Sequence, residues 1–494
     1  MLPYFRKSEG LAPTSEVMID DIAHNSDGPL GVSVRSPVLR AAQDFVAAAE
    51  ATGVPRGDYN GRDRGGASGV ASLFQTTTRL GKRSSTYHAF LEGAAEQRPN
   101  LTVITGAHAT RLILEHENGK IIARGVEYRT EPGDIHAAHA GKEVILSAGA
   151  IGSPHLLMLS GIGPRVELEA VGVSCVVESP GVGKHLKDHL HVPMYFPAPG
   201  VGVALNEVGV SLGPSVLRGP GGPLPADPAE DSNLPAELQA LKSEAERRIT
   251  EWATTGNGLV SSLLYDAVVF SSTGLGDPHT HDSQIACFVS AGGELLGKYL
   301  NIDLSMFFDD PAKRLAPETE AVFLLANPVQ PHSEGEVVLA SADPSIHPTI
   351  RMNYYDDPHD MKVMVAVLRQ ALEIASHWPG NRKIGPVLIP PFLAKKHGYR
   401  ADDELDDALL EDFARHFSVT VYHCTSTCRI GDVVDHRLRV MGVGRLRVAD
   451  ASVMPNVISG NTNAPSIMIG EKAAEMIAVD HGVKLAAFVG ERAA

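Results

Sequence analysis

Apolar residues recur every three or four positions in several stretches of the chain, the spacing that places them on one face of an α-helix. This pattern predicts helices over residues 36–52, 84–97, 236–252, 359–377 and 402–416. Between residues 101 and 147, and again between 261 and 330, short apolar runs alternate with turn residues, which is typical of β-strands. The turn Asn118-Gly119 separates two of these runs and predicts a hairpin. The pattern as a whole therefore predicts an α+β (mixed α/β) fold.

Two segments combine a strand, a tight turn and a helix. In the first, a strand over Glu143–Leu146 leads through the small residues of 147–154 into a helix at His155–Leu159. In the second, a strand at Arg445–Val448 precedes a helix that runs from Asn461–Asn463, which offer N-cap side chains, to about residue 477. Such turns let a backbone approach a ligand closely, although most of them serve packing alone.

Composition narrows the class of protein. The chain has 494 residues, of which 43% are apolar, and its 43 Lys and Arg against 59 Asp and Glu give a net charge of −16. An acidic chain without a basic run is a poor candidate for nucleic-acid binding. Four cysteines are too few for a disulfide framework, and no stretch of 18 or more apolar residues predicts a membrane span. The N-terminal residues do not resemble a secretory signal. We expect a cytoplasmic protein, with association at a membrane surface as the alternative.

The segment 420–431 carries the sharpest chemical signal. It places His423 between Tyr422 and Cys424, with Cys428 four positions further on. A zinc site is one interpretation, but no second Cys/His pair stands at ligand spacing, so we expect no metal. A hydrolase is disfavoured because no G-x-S-x-G occurs. A histidine taken at random is more often structural than catalytic, so the weight of His423 depends on its neighbours.

Three segments resemble the glucose–methanol–choline (GMC) flavin oxidoreductases. They are SAGAIGSPHLLMLSGIGP at 147–164, GVGKHLKDH at 181–189, and the stretch from Tyr422 to Glu471. Shorter matches, including PYFRKSE at the start and RPNLTV at 98–103, extend the similarity over nearly the whole chain. The relatives it most resembles are the bacterial choline- and alcohol-dehydrogenase-like members.

This resemblance implies FAD as cofactor and transfer of a hydride from an alcohol carbon to flavin N5. It implies that His423 takes the hydroxyl proton and that Asn461 forms a hydrogen bond to the same oxygen, in addition to its fit as a helix cap. A base with a near-neutral pKa suits alcohol oxidation, and a neutral amide can stabilise the developing oxyanion. The photodecarboxylating branch of the family lacks a matching histidine, so His423 argues against that light-driven activity.

The resemblance also implies a set of FAD-binding residues. Those on the adenine side, beside the ribityl–pyrophosphate arm and at the flavin ring are Ala109, Ala148, Gly149, Ala150, Asp450, Ala451, Thr462, Asn463 and Ala464. Departures from the family pattern occur at Cys424, where proline is usual, and at Ser426, where glycine is usual. Cys424 can alter the pocket wall or be oxidised.

The G-x-G-x-x-G turn with which the family's nucleotide domain begins does not occur in this sequence. We therefore expect a GMC-like FAD/NAD(P)-binding domain that lacks its first βαβ unit. The interpretations left open are a truncated sequence, a split protein whose partner chain supplies the Gly-rich segment, and a decayed copy that is inactive without it. Since that loop holds the diphosphate of FAD, we expect weak or absent FAD binding by this chain alone.

The predicted organisation has two interleaved parts. Residues 76–190 and 416–481 form the discontinuous FAD-binding domain, and residues 11–75 and 191–415 form a substrate domain built on an antiparallel sheet. The Pro- and Gly-rich stretch 197–235 is a predicted loop or lid insertion. The predicted function is FAD-dependent oxidation of a primary alcohol, with oxygen or a quinone-type compound as electron acceptor. The substrate and the oligomeric state stay open.

Overall fold

The described part of the chain covers most of both predicted domains. The computed structural model describes residues 1–36, 38–63, 65–93, 97–130, 133–198, 247–256, 258, 261, 265–291, 304–307, 320–380, 384–401 and 403–484. Nearly all of the predicted loop or lid at 197–235 lies outside these residues. Within them, no helix is both long enough and apolar enough to cross a membrane.

Eight helices are labelled in chain order, and residues 247–255 are also helical. They are α1 (Leu2–Ser8), α2 (Arg40–Ala51), α3 (Gly149–Leu159), α4 (Arg165–Ala170), α5 (Pro358–Ser376), α6 (Pro391–His397), α7 (Asp407–Phe417) and α8 (Asn463–Asp480).

The strands are short apart from one hairpin and one central sheet. They are β1 (Glu9–Leu11), β2 (Leu30–Val34), β3 (Val70–Leu73), β4 (Gln75–Thr76), β5 (Thr78–Arg79), β6 (Lys82–Arg83), β7 (His108–Glu117), β8 (Lys120–Arg129), β9 (Ile135–His139), β10 (Val144–Leu146), β11 (Ile162–Gly163), β12 (Val177–Glu178), β13 (Leu190–Pro197), β14 (Tyr265–Ser271), β15 (Ser283–Ala291), β16 (Glu320–Pro328), β17 (Glu336–Val338), β18 (Thr349–Arg351), β19 (Val419–Thr420), β20 (Val443–Gly444) and β21 (Leu446–Val448).

The largest sheet is antiparallel and has the strand order β19-β13-β16-β15-β14-β3. Its central strands are buried along their described length, as expected for near-continuous apolar runs. Helices α2, α5 and α7 contribute to the same hydrophobic core. Helix α5 begins where the pattern predicts, because Asp357 accepts a hydrogen bond from the His359 N–H and Pro358 occupies the first turn.

A second hydrophobic core lies beside the first and is built around α3, α8 and the parallel pair β10–β21. The predicted hairpin β7–β8 packs against it. Asn118 and Gly119 have φ angles of +51° and +76°, the left-handed conformation that a two-residue hairpin turn requires. The β10–β21 pair has only two strands, and Ile145 on it is 41% exposed.

Three predicted elements differ from the structure. In the helix expected at 84–97, Tyr87–Leu91 form a π-helical turn, and residues 94–96 lie outside the described residues. The β-rich run 101–104 is not in a strand, because a strand requires a hydrogen-bonded neighbour and no strand in the described residues pairs with this run. Helix α7 starts later than the acidic run suggests, at Asp407, because the Asp406 carboxylate caps it through the Leu409 N–H.

A buried histidine links two carboxylates that lie in separate segments near the N-terminus. His24 Nδ1 lies 2.8 Å from a carboxylate oxygen of Glu9, and its Nε2 lies 3.1 Å from one of Asp58. Burial lowers the pKa of His24, but the hydrogen bonds to Asp58 and Glu9 outweigh this effect and raise it to about 9. His24 is therefore a cation held between two carboxylates at neutral pH.

This ion cluster predicts a pH-dependent stability. Since the folded pKa of His24 exceeds its ordinary value near 6.5, its contribution is complete below pH 6.5 and is lost as the pH rises through 9. We expect the melting temperature of the wild type to fall over this range more steeply than that of His24→Gln. Equal pH dependence of the two melting temperatures would contradict the assignment.

Candidate active site

A buried carboxylate positions the segment that carries His423. One oxygen of Asp188 accepts the backbone N–H of His423 at 2.8 Å. The other accepts the hydroxyls of Thr420 at 2.6 Å and Tyr354 at 2.5 Å. Tyr422, between these contacts, has a φ of +61°, so the backbone turns sharply just before His423. Asp188 thus fixes both the start of the segment and the orientation of the histidine backbone.

A second histidine determines which tautomer of neutral His423 is present. His189 is fully buried, with its Nε2 3.1 Å from the Val329 carbonyl and its Nδ1 2.9 Å from Nδ1 of His423. A carbonyl oxygen only accepts, so Nε2 of His189 carries a proton and, in the neutral ring, its Nδ1 does not. His423 must then donate from Nδ1, which leaves Nε2 of His423 with a free lone pair.

Both imidazoles are neutral at physiological pH. Burial, with a smaller contribution from His423, lowers the pKa of His189 to about 3. Burial also lowers the pKa of His423 to about 4, although the nearby Asp188 acts in the opposite direction. Since both values lie well below 7, both rings are unprotonated at neutral pH and the tautomer argument holds there. The lowered pKa also makes His423 a weaker base than the near-neutral one expected from the sequence.

His423 lines a cavity of about 360 Å³ between the large sheet and the start of α8. Asn461 lines the same cavity, and its Oδ1 accepts a hydrogen bond of 3.0 Å from Nε2 of Gln284 on β15. The rest of the wall includes the rings of Phe74, Tyr265 and His191. The structure therefore brings together the two residues that the sequence singles out for catalysis.

Asn461 does not cap the helix that follows it. The N-cap position of α8 is occupied by Thr462, and no side chain of that position bonds to the first turn. The predicted cap is therefore wrong in this detail, because the Asn461 side chain pairs with Gln284 instead. Asn463 and Ala464, in the first turn of α8, are exposed, and Thr462 is buried. An uncapped helix start leaves backbone N–H groups and a partial positive charge available to a ligand.

The turn between β10 and α3 is tied to the strand beside it. Asp450 follows β21 and accepts the Gly149 N–H at 2.9 Å and the Ser153 hydroxyl at 2.5 Å. Gly149 has a φ of +78°, and a Cβ built on it would meet no atom within 4 Å, so the turn is open on that side. Ala148 is exposed, and the Ala150 carbonyl accepts the hydroxyl of Thr427 at 2.6 Å.

The remaining residues of the predicted cofactor set lie on other elements. Ala451 begins the short 3-10 helix Ala451–Val453 next to Asp450. Ala109 is exposed at the start of β7 and pairs with Tyr128 across the hairpin.

In the described part of the chain, no group of three His, Cys, Asp or Glu side chains is arranged to hold a metal ion. Cys424 is half-buried, and burial raises its pKa to about 12.

Sequence reasoning missed several residues of this site. His189 closes the string GVGKHLKDH and His191 lies two positions later, so alternation along the chain places both on one side of an extended segment. That spacing could have identified the two histidines from the sequence. No such spacing identifies Asp188 or Gln284, because their hydrogen-bond partners lie 235 and 177 positions away in the chain.

Comparisons with known proteins identify the family of the chain. Two family models, both described as GMC oxidoreductase, match residues 1–191 and 331–470. The chain is 31% identical to "Alcohol dehydrogenase [acceptor]" of Pseudomonas putida, over 92% of this chain and 71% of that protein. It is also 31% identical to "Oxygen-dependent choline dehydrogenase" of Burkholderia vietnamiensis, over 96% of this chain and 72% of the relative.

Solved structures confirm the fold. A variant of formate oxidase from Aspergillus oryzae superposes with a TM-score of 0.75 at 23% identity, covering 97% of this chain and 78% of that one. A fungal aryl-alcohol oxidase gives a TM-score of 0.73 at 18% identity, with coverages of 97% and 79%. These findings confirm the mixed helix-and-sheet fold and the prediction of an oxidoreductase. The chain belongs to the GMC oxidoreductase family.

Proposed function

We propose that this chain binds FAD and oxidises a primary alcohol to an aldehyde, with His423 as the base. The observation that supports this most directly is the hydrogen-bond chain from the Val329 carbonyl through His189 to His423. It leaves a neutral imidazole with a free lone pair on a cavity that also contains Asn461. That is the arrangement a hydroxyl group needs to lose its proton.

The residues beside the cavity suit the flavin end of FAD. We propose that Thr462, Asn463 and Ala464 hold the ring at the uncapped start of α8, where N–H groups favour negative charge. The open turn at Ala148, Gly149 and Ala150, with Ala109, would hold the adenine side, and Asp450 and Ala451 the linking arm. Bound FAD supplies the acceptor for the hydride that leaves the alcohol carbon.

We propose a different role for each of the two catalytic side chains. His423 accepts the hydroxyl proton at Nε2, since its Nδ1 is already committed to His189. Asn461 donates from its amide nitrogen to the alcohol oxygen and stabilises the negative charge that develops there. We also propose that the smaller core belongs to a FAD-binding domain of residues 76–190 and 416–481, and the large sheet to a substrate domain of 11–75 and 191–415.

The relatives support an alcohol as the substrate, because they are named alcohol dehydrogenase and choline dehydrogenase. We propose that the electrons pass onward to oxygen or to a quinone-type acceptor. The test is to supply FAD-saturated protein with a panel of primary alcohols and measure aldehyde, with oxygen uptake and quinone reduction followed in parallel. Bound flavin without aldehyde from any alcohol would contradict the proposal.

A further proposal concerns the diphosphate of FAD. Since the printed sequence contains no G-x-G-x-x-G turn, we expect the purified 494-residue chain to carry less than one FAD per chain. Flavin absorbance after gel filtration measures the ratio. A ratio of one for the chain alone would contradict this prediction.

A further inference from the structure

One histidine in the wall of the active-site cavity has a ring nitrogen without a hydrogen-bond partner. His191 lies on β13, lines the cavity beside His423, and is 9% exposed. Its Nε2 is buried and forms no hydrogen bond. A buried polar atom without a partner destabilises the folded protein, so a side chain that served packing alone would be better replaced by an apolar ring. Because His191 lines the cavity, we expect a ligand to supply the missing hydrogen-bond partner.

The charge of His191 indicates which kind of group it would meet. Burial, and to a smaller extent the nearby His423, lowers its pKa to about 4, so the ring is neutral at pH 7. None of the described residues that line the cavity is Asp, Glu, Lys or Arg. A neutral imidazole has one nitrogen that donates and one that accepts, and a hydroxyl group can satisfy either of them.

We propose that His191 binds a second hydroxyl group of the substrate, so that the cavity selects uncharged primary alcohols that carry a further hydroxyl. This inference rests on the proposed function. The first hydroxyl gives its proton to Nε2 of His423 and its carbon gives a hydride to the flavin, which yields an aldehyde. The second hydroxyl stays chemically unchanged and orients the molecule through His191. His191 is therefore a residue that determines specificity.

The test compares two alcohols of equal heavy-atom count, butane-1,4-diol and pentan-1-ol. A site built to bind a hydroxyl discriminates against an analogue without one, because its own polar group is then left unpaired. We expect FAD-saturated wild-type protein to prefer the diol in kcat/KM by at least about tenfold. In His191→Phe the preference should fall to about one. His191→Gln should keep part of the preference, since its amide also donates and accepts.

The outcomes separate the two proposals. Oxidation of both alcohols at equal efficiency, or a diol preference that persists in His191→Phe, would overturn the role of His191 while the proposed function stands. Oxidation of neither alcohol by flavin-loaded protein would overturn the proposed function. In that case ligand-observed NMR on the same proteins still decides the inference, because only the wild type should bind the diol more tightly than pentan-1-ol. Circular dichroism confirms that each variant is folded.

Discussion

Replacement of His423 by alanine should lower kcat with a primary alcohol by about 10²–10⁴-fold, the usual loss when a general base is removed. The hydroxyl proton then loses its acceptor, because the freed Nδ1 of His189 lies behind the lost ring and His189 does not line the cavity. The effect should fall on kcat more than on KM, since the proton is transferred in the chemical step. Steady-state kinetics of FAD-saturated protein measure both constants.

A matched control is available on the surface. His279 is exposed in the loop before β15, so His279→Ala should leave kcat unchanged. The flavin content of both variants should equal that of the wild type, which separates loss of the base from loss of the cofactor. Wild-type turnover in His423→Ala, with bound flavin present, would refute His423 as the base.

Replacement of His189 by leucine should lower kcat by about 10²-fold, although His189 is a positioning residue and not a catalytic one. His189 accepts the Nδ1 proton of His423 at 2.9 Å, and without that acceptor the proton is free to move to Nε2. His423 would then present a donor to the substrate hydroxyl instead of a lone pair. The orientation of its ring would also be less well fixed.

His189→Gln separates this role from packing. A glutamine amide can donate to the Val329 carbonyl and accept from His423, so we expect this variant to recover much of the lost kcat. A purely structural role predicts that both variants lose melting temperature and activity together. If His189→Leu keeps wild-type kcat, the proposed hydrogen-bond chain does not control the base.

Local signals in the sequence predicted local structure well. The Asn118-Gly119 turn identifies its hairpin because the required left-handed backbone favours these residues in any context. Helix α5 follows its apolar period closely, and its proline at the first turn marks the start. His423 and Asn461 were predicted to act together, and they line the same cavity. This prediction came from the family resemblance, which carries information about distant contacts that periodicity does not.

Contacts between remote segments could not be predicted in this way. The β-rich run 101–104 has the composition of a strand, but strand formation depends on a neighbour and not on the run itself. The pairing of Gly149 with Asp450 spans 301 positions, and that of His189 with His423 spans 234. The predicted cap at Asn461 failed because Gln284, 177 positions away, competes for the same side chain.

The most direct test of the account is the anaerobic reduction of bound flavin by a primary alcohol, followed by the loss of flavin absorbance in FAD-saturated protein. We expect complete bleaching, at a rate that slows when the carbinol hydrogens are replaced by deuterium. Since burial lowers the pKa of His423 to about 4, that rate should stay constant from pH 7 to 5 and fall only near 4. Flavin that stays bound and oxidised in the presence of every primary alcohol tested would contradict the account.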